Sequence, residues 1–267
     1  MEDGFHNRFN SVNYFDYANV NVLVLGGASG LGYEISKGFL QAGANVLIAS
    51  RNASNLEKSC DELISFKKPN ASLDWFAADL TDGNSHLELI QFLEGSYGGV
   101  IDVLVNSAGT NIRSKLSETD RGDCISVLET NLLGPMFFLK LALPLIKKSS
   151  RGRVINLASI FATVSYPERS NYAISKGGIL QLTRTLAAEW AEYNITVNSI
   201  SPGPFLTELN RKVLDDPENY EAFCRNMPMR RFGNPEEIIT TALYLGSAYS
   251  SYVTGSNILV DGGWTAT

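Results

Sequence analysis

The stretch Val20-Asn-Val-Leu-Val-Leu-Gly-Gly-Ala-Ser-Gly-Leu-Gly32 joins an apolar, β-branched run to a glycine-rich turn, and a segment of helical period follows it. Glycines let backbone N–H groups approach a pyrophosphate closely, and the N-terminus of the next helix adds a partial positive charge. The spacing is G-x-x-x-G-x-G, which differs from the dinucleotide-binding fingerprint G-x-G-x-x-G, but the same physical mechanism applies. The residues expected to contact a dinucleotide here are Gly26, Ser29, Gly30, Leu31 and Gly32.

Short apolar runs alternate with longer segments of helical period along the rest of the chain, which is typical of a parallel sheet covered by helices on both faces. The predicted strands are Val20–Leu25, Asn45–Ala49, Leu73–Ala77, Ile101–Val105, Arg153–Leu157, Thr196–Ile200 and Ile258–Val260. The predicted helices lie near Leu31–Gln41, Ser54–Phe66, Ser85–Glu94, Asp123–Lys147, Tyr172–Tyr193 and Pro235–Leu245. Right-handed crossovers between seven such strands predict an α/β fold with a doubly wound, Rossmann-type parallel sheet.

The sequence shows no linker, charge block or internal repeat, so we expect one domain over residues 17–267, preceded by a loose polar arm over residues 1–16. Residues 203–232 combine prolines with mixed charge and weak periodicity, which favours a small lid over a bound ligand. The longest uncharged run, Ile238–Val260, has polar residues in its second half. It therefore predicts a helix, a loop and a strand rather than a membrane span.

Composition argues against several classes of protein. The chain has 22 Lys+Arg and 28 Asp+Glu, a formal net charge of −6, so nucleic acid is not an expected partner. Cys60, Cys124 and Cys224 are widely spaced, which predicts neither a disulfide framework nor a zinc cluster and favours a cytoplasmic location. The two histidines, His6 and His86, are expected at the solvated surface, and we expect no metal site.

The end of the second predicted strand indicates which nicotinamide cofactor is bound. An acidic residue at this point accepts hydrogen bonds from the ribose 2′-OH of NAD, whereas an arginine accommodates the 2′-phosphate of NADP. No Asp or Glu occurs between Glu34 and Glu57. Ser50, Arg51 and Asn52 therefore predict a site that prefers NADP(H) over NAD(H).

Tyr172 and Lys176 are four residues apart in a predicted helix, so they share one helix face. A nearby cation favours the phenolate form and lowers the pKa of a tyrosine, so this pair could form a tuned general acid/base. Ser159 follows the fifth predicted strand, at the sheet edge where open α/β folds bind ligands. Asn131 lies between apolar neighbours, where a buried amide must be hydrogen-bonded.

Together these residues resemble the short-chain dehydrogenase/reductase superfamily, from about Tyr17 to Trp264. The resemblance implies that Tyr172 exchanges a proton with the substrate oxygen while Ser159 holds that oxygen. It implies that Lys176 binds the nicotinamide ribose and that Asn131 anchors a water next to the lysine. Further cofactor contacts implied by the resemblance are Asp79, Leu80, Asn106, Ala108, Gly109, Pro202, Gly203 and Thr207.

The chain departs from the family pattern at two positions. Leu25 stands where the family usually has Thr, so a hydrogen bond between the glycine turn and its neighbouring strand is expected to be absent. Ser107 replaces the second Asn of the NNAG segment. The resemblance also implies a homotetramer or a homodimer.

The substrate is expected to be a small molecule. The residues expected to face it are Asn111, Ile112, Arg113, Ile160, Phe161, Tyr166, Arg169, Phe205 and Leu206. The segments 108–113, 51–52 and 231–237 resemble the gluconate 5-dehydrogenase branch of the family. Arginine pairs well with carboxylates, so Arg113 is a candidate for binding a sugar acid, although a surface arginine on a loop fits the sequence equally well.

Two alternatives remain open at this level. A 3-oxoacyl-thioester reductase shares the same catalytic residues, and Lys147, Lys148, Arg151 and Arg153 could form the basic patch that an acidic carrier protein requires beside the cleft. A non-catalytic NADP(H) sensor is the second alternative. Such proteins commonly lose the tyrosine or the lysine, and both are present here.

Overall fold

A computed structural model of the protein describes residues 15–266. The strands are β1 Asn21–Leu25, β2 Asn45–Ser50, β3 Leu73–Ala77, β4 Val103–Asn106, β5 Arg153–Leu157, β6 Thr196–Pro202 and β7 Asn257–Val260. The helices are α1 Gly30–Ala42, α2 Ala53–Leu63, α3 Gly83–Ser96, α4 Arg121–Leu128, α5 Gly134–Lys147, α6 Ser170–Trp190, α7 Arg211–Leu214, α8 Pro217–Arg225 and α9 Ile239–Gly246. The predicted arm lies outside the described residues except for Phe15 and Asp16.

The seven strands form one parallel sheet in the order β3-β2-β1-β4-β5-β6-β7, which confirms the predicted doubly wound fold. Leu25, the last residue of β1, lies opposite Ala49 of β2 and Asn106 of β4. The carboxyl ends of these strands therefore meet at one edge. The strand order reverses between β1 and β4, and ligands bind at such a reversal in open α/β sheets.

Helices cover both faces of the sheet because successive residues of its central strands point to opposite sides. Val24 packs in one cluster with Phe39 of α1, whereas Leu25 packs in another with Phe138 of α5. All four side chains are 1% exposed or less. Each such burial contributes about 1.5–3 kcal/mol. The sheet edge that carries the loops is therefore held on a rigid base.

The long helix predicted over Asp123–Lys147 is divided in the structure. A wider, π-helical segment, Glu129–Leu133, separates α4 from α5. Segments of this kind are often found at functional sites. A Cβ on Gly134, which follows the segment, would lie 2.2 Å from the carbonyl oxygen of Leu80, so the helix can approach the loop after β3 only with glycine there.

His86 is buried, at 3% exposed, so the prediction of a solvated histidine is wrong. Its Nε2 lies 2.8 Å from the carbonyl oxygen of Leu80 and therefore donates a hydrogen bond to it. His86 shares its helix face with Leu89 and Leu93, which are also buried, and this helical spacing was the available signal. The prediction for His6 falls outside the described residues.

Two short helices, α7 and α8, stand between β6 and α9, in the region predicted to form a lid. Their apolar side chains join a third cluster, which is separate from the two that cover the sheet. It contains Ile160, Val213, Phe223, Cys224, Met227, Phe232 and Trp264. The run Ile238–Val260 forms α9, a short turn and β7, in agreement with the prediction.

The helical stretch Arg121–Lys147 is long and apolar enough to cross a membrane by length and composition alone. Core helices of soluble proteins pass the same test, and here Phe138, Leu139 and Leu145 are buried in the core. Within residues 15–266 no group of three His, Cys, Asp or Glu side chains could hold a metal ion. Cys60, Cys124 and Cys224 are free thiols.

Candidate active site

The glycine-rich turn between β1 and α1 forms a cradle that side chains would fill. A Cβ on Gly26 would lie 2.7 Å from the backbone nitrogen of Ala108, and a Cβ on Gly32 would lie 2.2 Å from the carbonyl oxygen of Gly26. Gly26 and Gly30 also have positive φ angles, of 78° and 54°. Because α1 begins at Gly30, its free N–H groups lie beside this cradle, which suits a pyrophosphate.

A cleft of about 450 Å³ lies at the carboxyl edge of the sheet, against this turn. Loops after β1, β4, β5 and β6 form its walls together with the start of α6. The predicted site residues that line it are Gly26, Ser29, Gly30, Leu31, Ala108, Gly109, Arg113, Ser159, Phe161, Tyr172, Lys176, Pro202, Gly203, Phe205 and Thr207. The sequence therefore predicted most of the residues that line this cleft.

A smaller pocket of about 160 Å³ adjoins the cleft and shares Gly26 and Gly109 with it. Among the predicted cofactor residues it is lined by Ser29, Ser50, Arg51, Asp79, Leu80 and Ala108. Burial tends to raise the pKa of Asp79, but hydrogen bonds from Thr81 and the Arg51 charge together hold it below its ordinary value. Arg51 is exposed at the mouth of this pocket.

Some predicted residues do not reach either cavity. Gly32 packs inside the turn, and Asn52 caps α2 by accepting a hydrogen bond of 3.0 Å from the N–H of Asn55. Asn106 is buried at the end of β4. Tyr166 lies among aromatic rings instead of lining the cleft, with its centroid 5.1 Å from that of Phe223.

Asn131 lies in the π-helical segment and is fully buried. Its Oδ1 accepts a hydrogen bond of 2.7 Å from the N–H of Thr110. Its Nδ2 donates to the carbonyl oxygen of Thr110 at 2.9 Å and to the hydroxyl of Ser175 at 3.0 Å. The side chain thus fixes the loop that follows β4, which forms one wall of both cavities.

Tyr172 and Lys176 lie on one face of α6, and both are buried. The Lys176 ammonium donates a hydrogen bond of 2.7 Å to the carbonyl oxygen of Leu157 and lies 5.8 Å from the centroid of the Tyr172 ring. Burial lowers the pKa of Lys176 to about 8. A group with this pKa can change its charge near neutral pH.

Burial raises the pKa of Tyr172, and a hydrogen bond with Ser159 and the charge of Arg169 partly offset this effect. The sequence predicted that Lys176 would lower this pKa. The charge of Arg169, three residues before Tyr172 in the chain, also lowers it, and Lys176 lies 5.8 Å from the centroid of the same ring. A phenol with a raised pKa carries its proton at neutral pH, but it is a weaker acid than an ordinary tyrosine, so the raised pKa does not itself favour proton transfer.

The region predicted to form a lid contributes cleft residues that the sequence did not suggest. They are Glu208, Leu209, Asn210 and Phe223. Asn210 fixes the local chain because its Nδ2 donates a hydrogen bond of 2.9 Å to the carbonyl oxygen of Phe205. The weak periodicity of this region left no pattern from which these residues could be identified. Asn111, Ile160 and Arg169 line the cleft as expected, whereas Ile112 and Leu206 do not.

The basic patch predicted beside the cleft is not there. Arg153 begins β5, so it lies at the sheet edge opposite to Ser159, which follows the end of the same strand. It is 3% exposed, and its Nε donates a hydrogen bond to the carbonyl oxygen of Ser247 at 3.1 Å. Lys147 ends α5 and lies over the ring of Tyr193. These cations do not surround the cleft entrance.

Comparison with known proteins places this site in a family. The model described as Enoyl-(Acyl carrier protein) reductase matches residues 26–265. Gluconate 5-dehydrogenase of Gluconobacter oxydans is 29% identical over 94% of this chain and 96% of its own. The 3-oxoacyl-[acyl-carrier-protein] reductase FabG of Thermotoga maritima is 33% identical over 90% of this chain and 96% of its own.

A solved structure agrees with the architecture. Gluconate 5-dehydrogenase from Burkholderia cenocepacia, in complex with NADP and tartrate, superimposes with a TM-score of 0.89 at 29% identity and covers 96% of this chain and 98% of that chain. These matches agree with three features of the structure: the sheet order, the glycine cradle and the grouping of Ser159, Tyr172 and Lys176 in one cleft. The chain therefore belongs to the short-chain dehydrogenase/reductase superfamily of oxidoreductases.

Proposed function

We propose that the protein is an NADP(H)-dependent oxidoreductase that interconverts a secondary alcohol and a ketone. The observation that carries this proposal is the single cleft in which the glycine cradle meets Ser159, Tyr172 and Lys176. The bound nicotinamide would supply or accept the hydride. The glycine cradle would hold the pyrophosphate of the cofactor, and the smaller pocket at the ends of β2 and β3 would hold its adenine and ribose.

Four polar residues at or beside the cleft have roles in this proposal. Tyr172 donates its proton to the ketone oxygen in reduction and removes the hydroxyl proton in oxidation. Ser159, which lines the same cleft as Tyr172, holds the same substrate oxygen. Lys176 binds the ribose hydroxyls. Asn131 completes this group of four, and its hydrogen bonds to Thr110 support a positioning role in addition to the water-anchoring role that the family implies.

The preference for NADP(H) is supported by Arg51. Its guanidinium is exposed beside the pocket that follows β2, where a 2′-phosphate would lie. The similar enzyme of Burkholderia cenocepacia is described as a complex with NADP, which agrees with this preference.

A sugar acid or a related polar carbonyl compound is the proposed substrate. The partly buried Arg113 lines the cleft and supports binding of a carboxylate. Two of the similar proteins are named gluconate 5-dehydrogenase, and one of these is described with tartrate, a hydroxy acid.

A 3-oxoacyl-thioester reductase is the second candidate, because Phe161 and Phe223 give the cleft an aromatic wall that suits an acyl chain. The relative FabG agrees with it. The position of Arg153 at the opposite sheet edge counts against a carrier-protein surface beside the cleft.

The assembly and the lid are parts of the same proposal. Ile125, Phe137 and Ile174 lie on α4, α5 and α6 and are 46%, 51% and 60% exposed, which supports association into a homotetramer or a dimer.

The region 203–232 would close over the substrate as a lid on the single domain 17–267. A cytoplasmic location follows from the cysteine usage and remains a prediction. A monomer mass in light scattering would contradict the assembly.

A spectrophotometric panel tests the proposed function. NADP(H) and NAD(H) are each combined with gluconate, 5-ketogluconate, acetoacetyl thioesters and simple diketones. We expect NADP(H)-linked turnover of the sugar acids. Preference for the thioesters would favour acyl-chain reduction. Tight NADPH binding without any turnover would contradict the proposal and favour a non-catalytic NADP(H) sensor.

A further inference from the structure

Two arginines reach the substrate end of the cleft from different loops. Arg113 follows β4, and Arg169 directly precedes α6, three residues before Tyr172. Arg169 is 4% exposed. A guanidinium carries five N–H donors, yet within residues 15–266 the structure gives this one a single hydrogen bond, 3.1 Å from Nη1 to the carbonyl oxygen of Glu168. Most of its donors are therefore available to the cleft.

The charges of the two arginines are not neutralised by an ion pair. Across the described part of the chain, no carboxylate forms a salt bridge within 4.0 Å with Arg113 or Arg169. Burial and, to a smaller extent, the positive charge of Arg113 lower the pKa of Arg169 to about 10. Two neighbouring cations in a partly buried site are costly without a counterion.

The acidic residue that lines the cleft, Glu208, forms a salt bridge of 3.0 Å with Arg211. A second acidic residue, Glu168, directly precedes Arg169 in the chain. Glu168 is exposed, and its backbone has a positive φ of 62°. Its charge acts on both arginines, raising the pKa of each, but it does not pair with either. Glu168 therefore reduces the positive potential of this corner without filling it.

Arg153, a purely structural arginine in this protein, has a different set of hydrogen-bond partners from Arg169. Arg153 is equally buried, at 3% exposed, but lies at the other edge of the sheet, away from any cleft described above. Its guanidinium donates to two backbone carbonyl oxygens, those of Ser247 and Gly152, at 3.1 and 2.9 Å. Arg169 has one such partner and borders the cleft, so its remaining donors fit a ligand better than a purely structural role.

A polar group without a partner lies in the same cleft. Asn111 has a buried side-chain oxygen with no hydrogen-bond partner among the described residues, and it lies two residues before Arg113. A buried acceptor of this kind costs free energy unless a ligand supplies a donor. The hydroxyl of a substrate would supply one.

We propose that Arg113 and Arg169 together form an anion subsite that binds the carboxylate of a hydroxy-acid substrate, while Asn111 accepts a hydrogen bond from one of its hydroxyls. This inference rests on the proposed function, since it names the substrate class of the same cleft. Guanidinium groups match the planar geometry of a carboxylate and can bind it through two parallel hydrogen bonds. Arg169, which the sequence placed near the substrate without a role, is then a second specificity residue beside Arg113.

Calorimetric titration of the full chain, with and without NADP⁺, tests this subsite. Malonate is the anionic probe, and malonamide is its neutral counterpart of similar shape. We expect malonate to bind and malonamide not to bind. Arg113→Met and Arg169→Met should each weaken malonate binding about tenfold or more, because each removes charge-assisted hydrogen bonds. Arg184→Met is the matched control, since Arg184 is exposed on α6, and it should bind malonate like the wild type.

Two further variants separate charge from structure. Arg169→Lys should retain part of the affinity, because it keeps the charge but loses the planar fork. Glu168→Gln should strengthen malonate binding by roughly two- to fivefold, as expected for removal of an exposed opposing charge. An increase in affinity cannot result from misfolding, so this variant keeps the test decisive if Arg169→Met fails to fold.

Three results would overturn the proposed subsite. They are absence of malonate binding, equal binding of malonate and malonamide, and malonate binding that is unchanged in a folded Arg169→Met variant. Tighter binding of inorganic phosphate than of malonate would overturn the assignment to a carboxylate. The titration needs no hydride transfer, so malonate binding without turnover in the substrate panel would contradict the proposed function and leave the subsite supported.

Discussion

Asn131 holds the backbone of Thr110 at both of its polar groups, accepting from its N–H at 2.7 Å and donating to its carbonyl oxygen at 2.9 Å. Thr110 directly follows Gly109, which borders both cavities. One buried amide therefore sets the position of the chain between the cofactor pocket and the proposed anion subsite.

Asn131→Ala should lower the free energy of unfolding by about 1–3 kcal/mol, because it leaves buried polar groups of Thr110 without partners. We also expect a lower kcat/KM, since the loop after β4 loses its support. Urea unfolding and steady-state kinetics measure the two effects. Asn84→Ala, at an exposed position of α3, is the control. Wild-type values for Asn131→Ala in both measurements would contradict this role.

Gly32→Ala should abolish tight NADPH binding and destabilise the protein. The added Cβ would meet the carbonyl oxygen of Gly26 at 2.2 Å, and a backbone atom cannot rotate away as a side chain can. Gly177→Ala is the matched control, because nothing lies within 4 Å of the added Cβ in helix α6. That substitution should raise stability by about 0.5–1 kcal/mol. Equal effects of the two substitutions on thermal unfolding and on NADPH titration would refute the proposed cradle.

Arg51→Ala should weaken NADPH binding about tenfold or more, because it removes a charge-assisted hydrogen bond to the 2′-phosphate. NADH lacks that phosphate, so its dissociation constant should stay within about twofold of the wild-type value. Fluorescence titration of each reduced cofactor measures both constants. The preference for NADP(H) is wrong if wild-type protein binds the two cofactors equally.

Lys176 should make stability depend on pH. Its pKa is lowered by burial to about 8 in the folded protein, compared with 10.5 for an ordinary lysine. Between these two values the unfolded chain binds more protons, so the contribution of Lys176 to the free energy of unfolding rises with pH there. The full rise is about 3 kcal/mol. Below pH 8 the contribution is constant.

Lys176→Met removes this titration. The free energy of unfolding of the wild type minus that of Lys176→Met should be flat from about pH 6 to 8 and increase above pH 8. Urea denaturation at several pH values measures the difference, which cancels the contributions of groups common to both proteins. A difference independent of pH would show that Lys176 is not buried as a charged group.

Strong local patterns explain why much of this molecule could be predicted from its sequence. Five of the seven strands, β1, β2, β4, β5 and β6, are largely buried on both faces. The predicted positions of all seven differ from the observed ones by at most two residues at either end. The turn from Gly26 to Gly32 requires residues without a Cβ, so its glycines are visible in the sequence. Residues that follow strand ends, such as Ser159, were then placed at the correct sheet edge.

Features that depend on tertiary contacts were missed for physical reasons. The sequence pattern around Asn131 predicts an ordinary helix where the structure has a π-helical segment. Burial of Arg169 three residues before Tyr172 depends on the fold of the loop before α6, and its charge lowers the pKa of the phenol. Tyr166 was expected in the cleft, but its ring packs with Phe161 and Phe223 instead.

Tyr172→Phe tests the central claim most directly. It removes the phenolic oxygen that exchanges the proton and keeps the ring that packs beside Phe161. We expect kcat to fall by about 10²- to 10⁴-fold on the substrate that the panel identifies, as is usual for loss of a general acid/base. The dissociation constant for NADPH should remain close to that of the wild type. A variant that turns over at near wild-type rate would contradict the account.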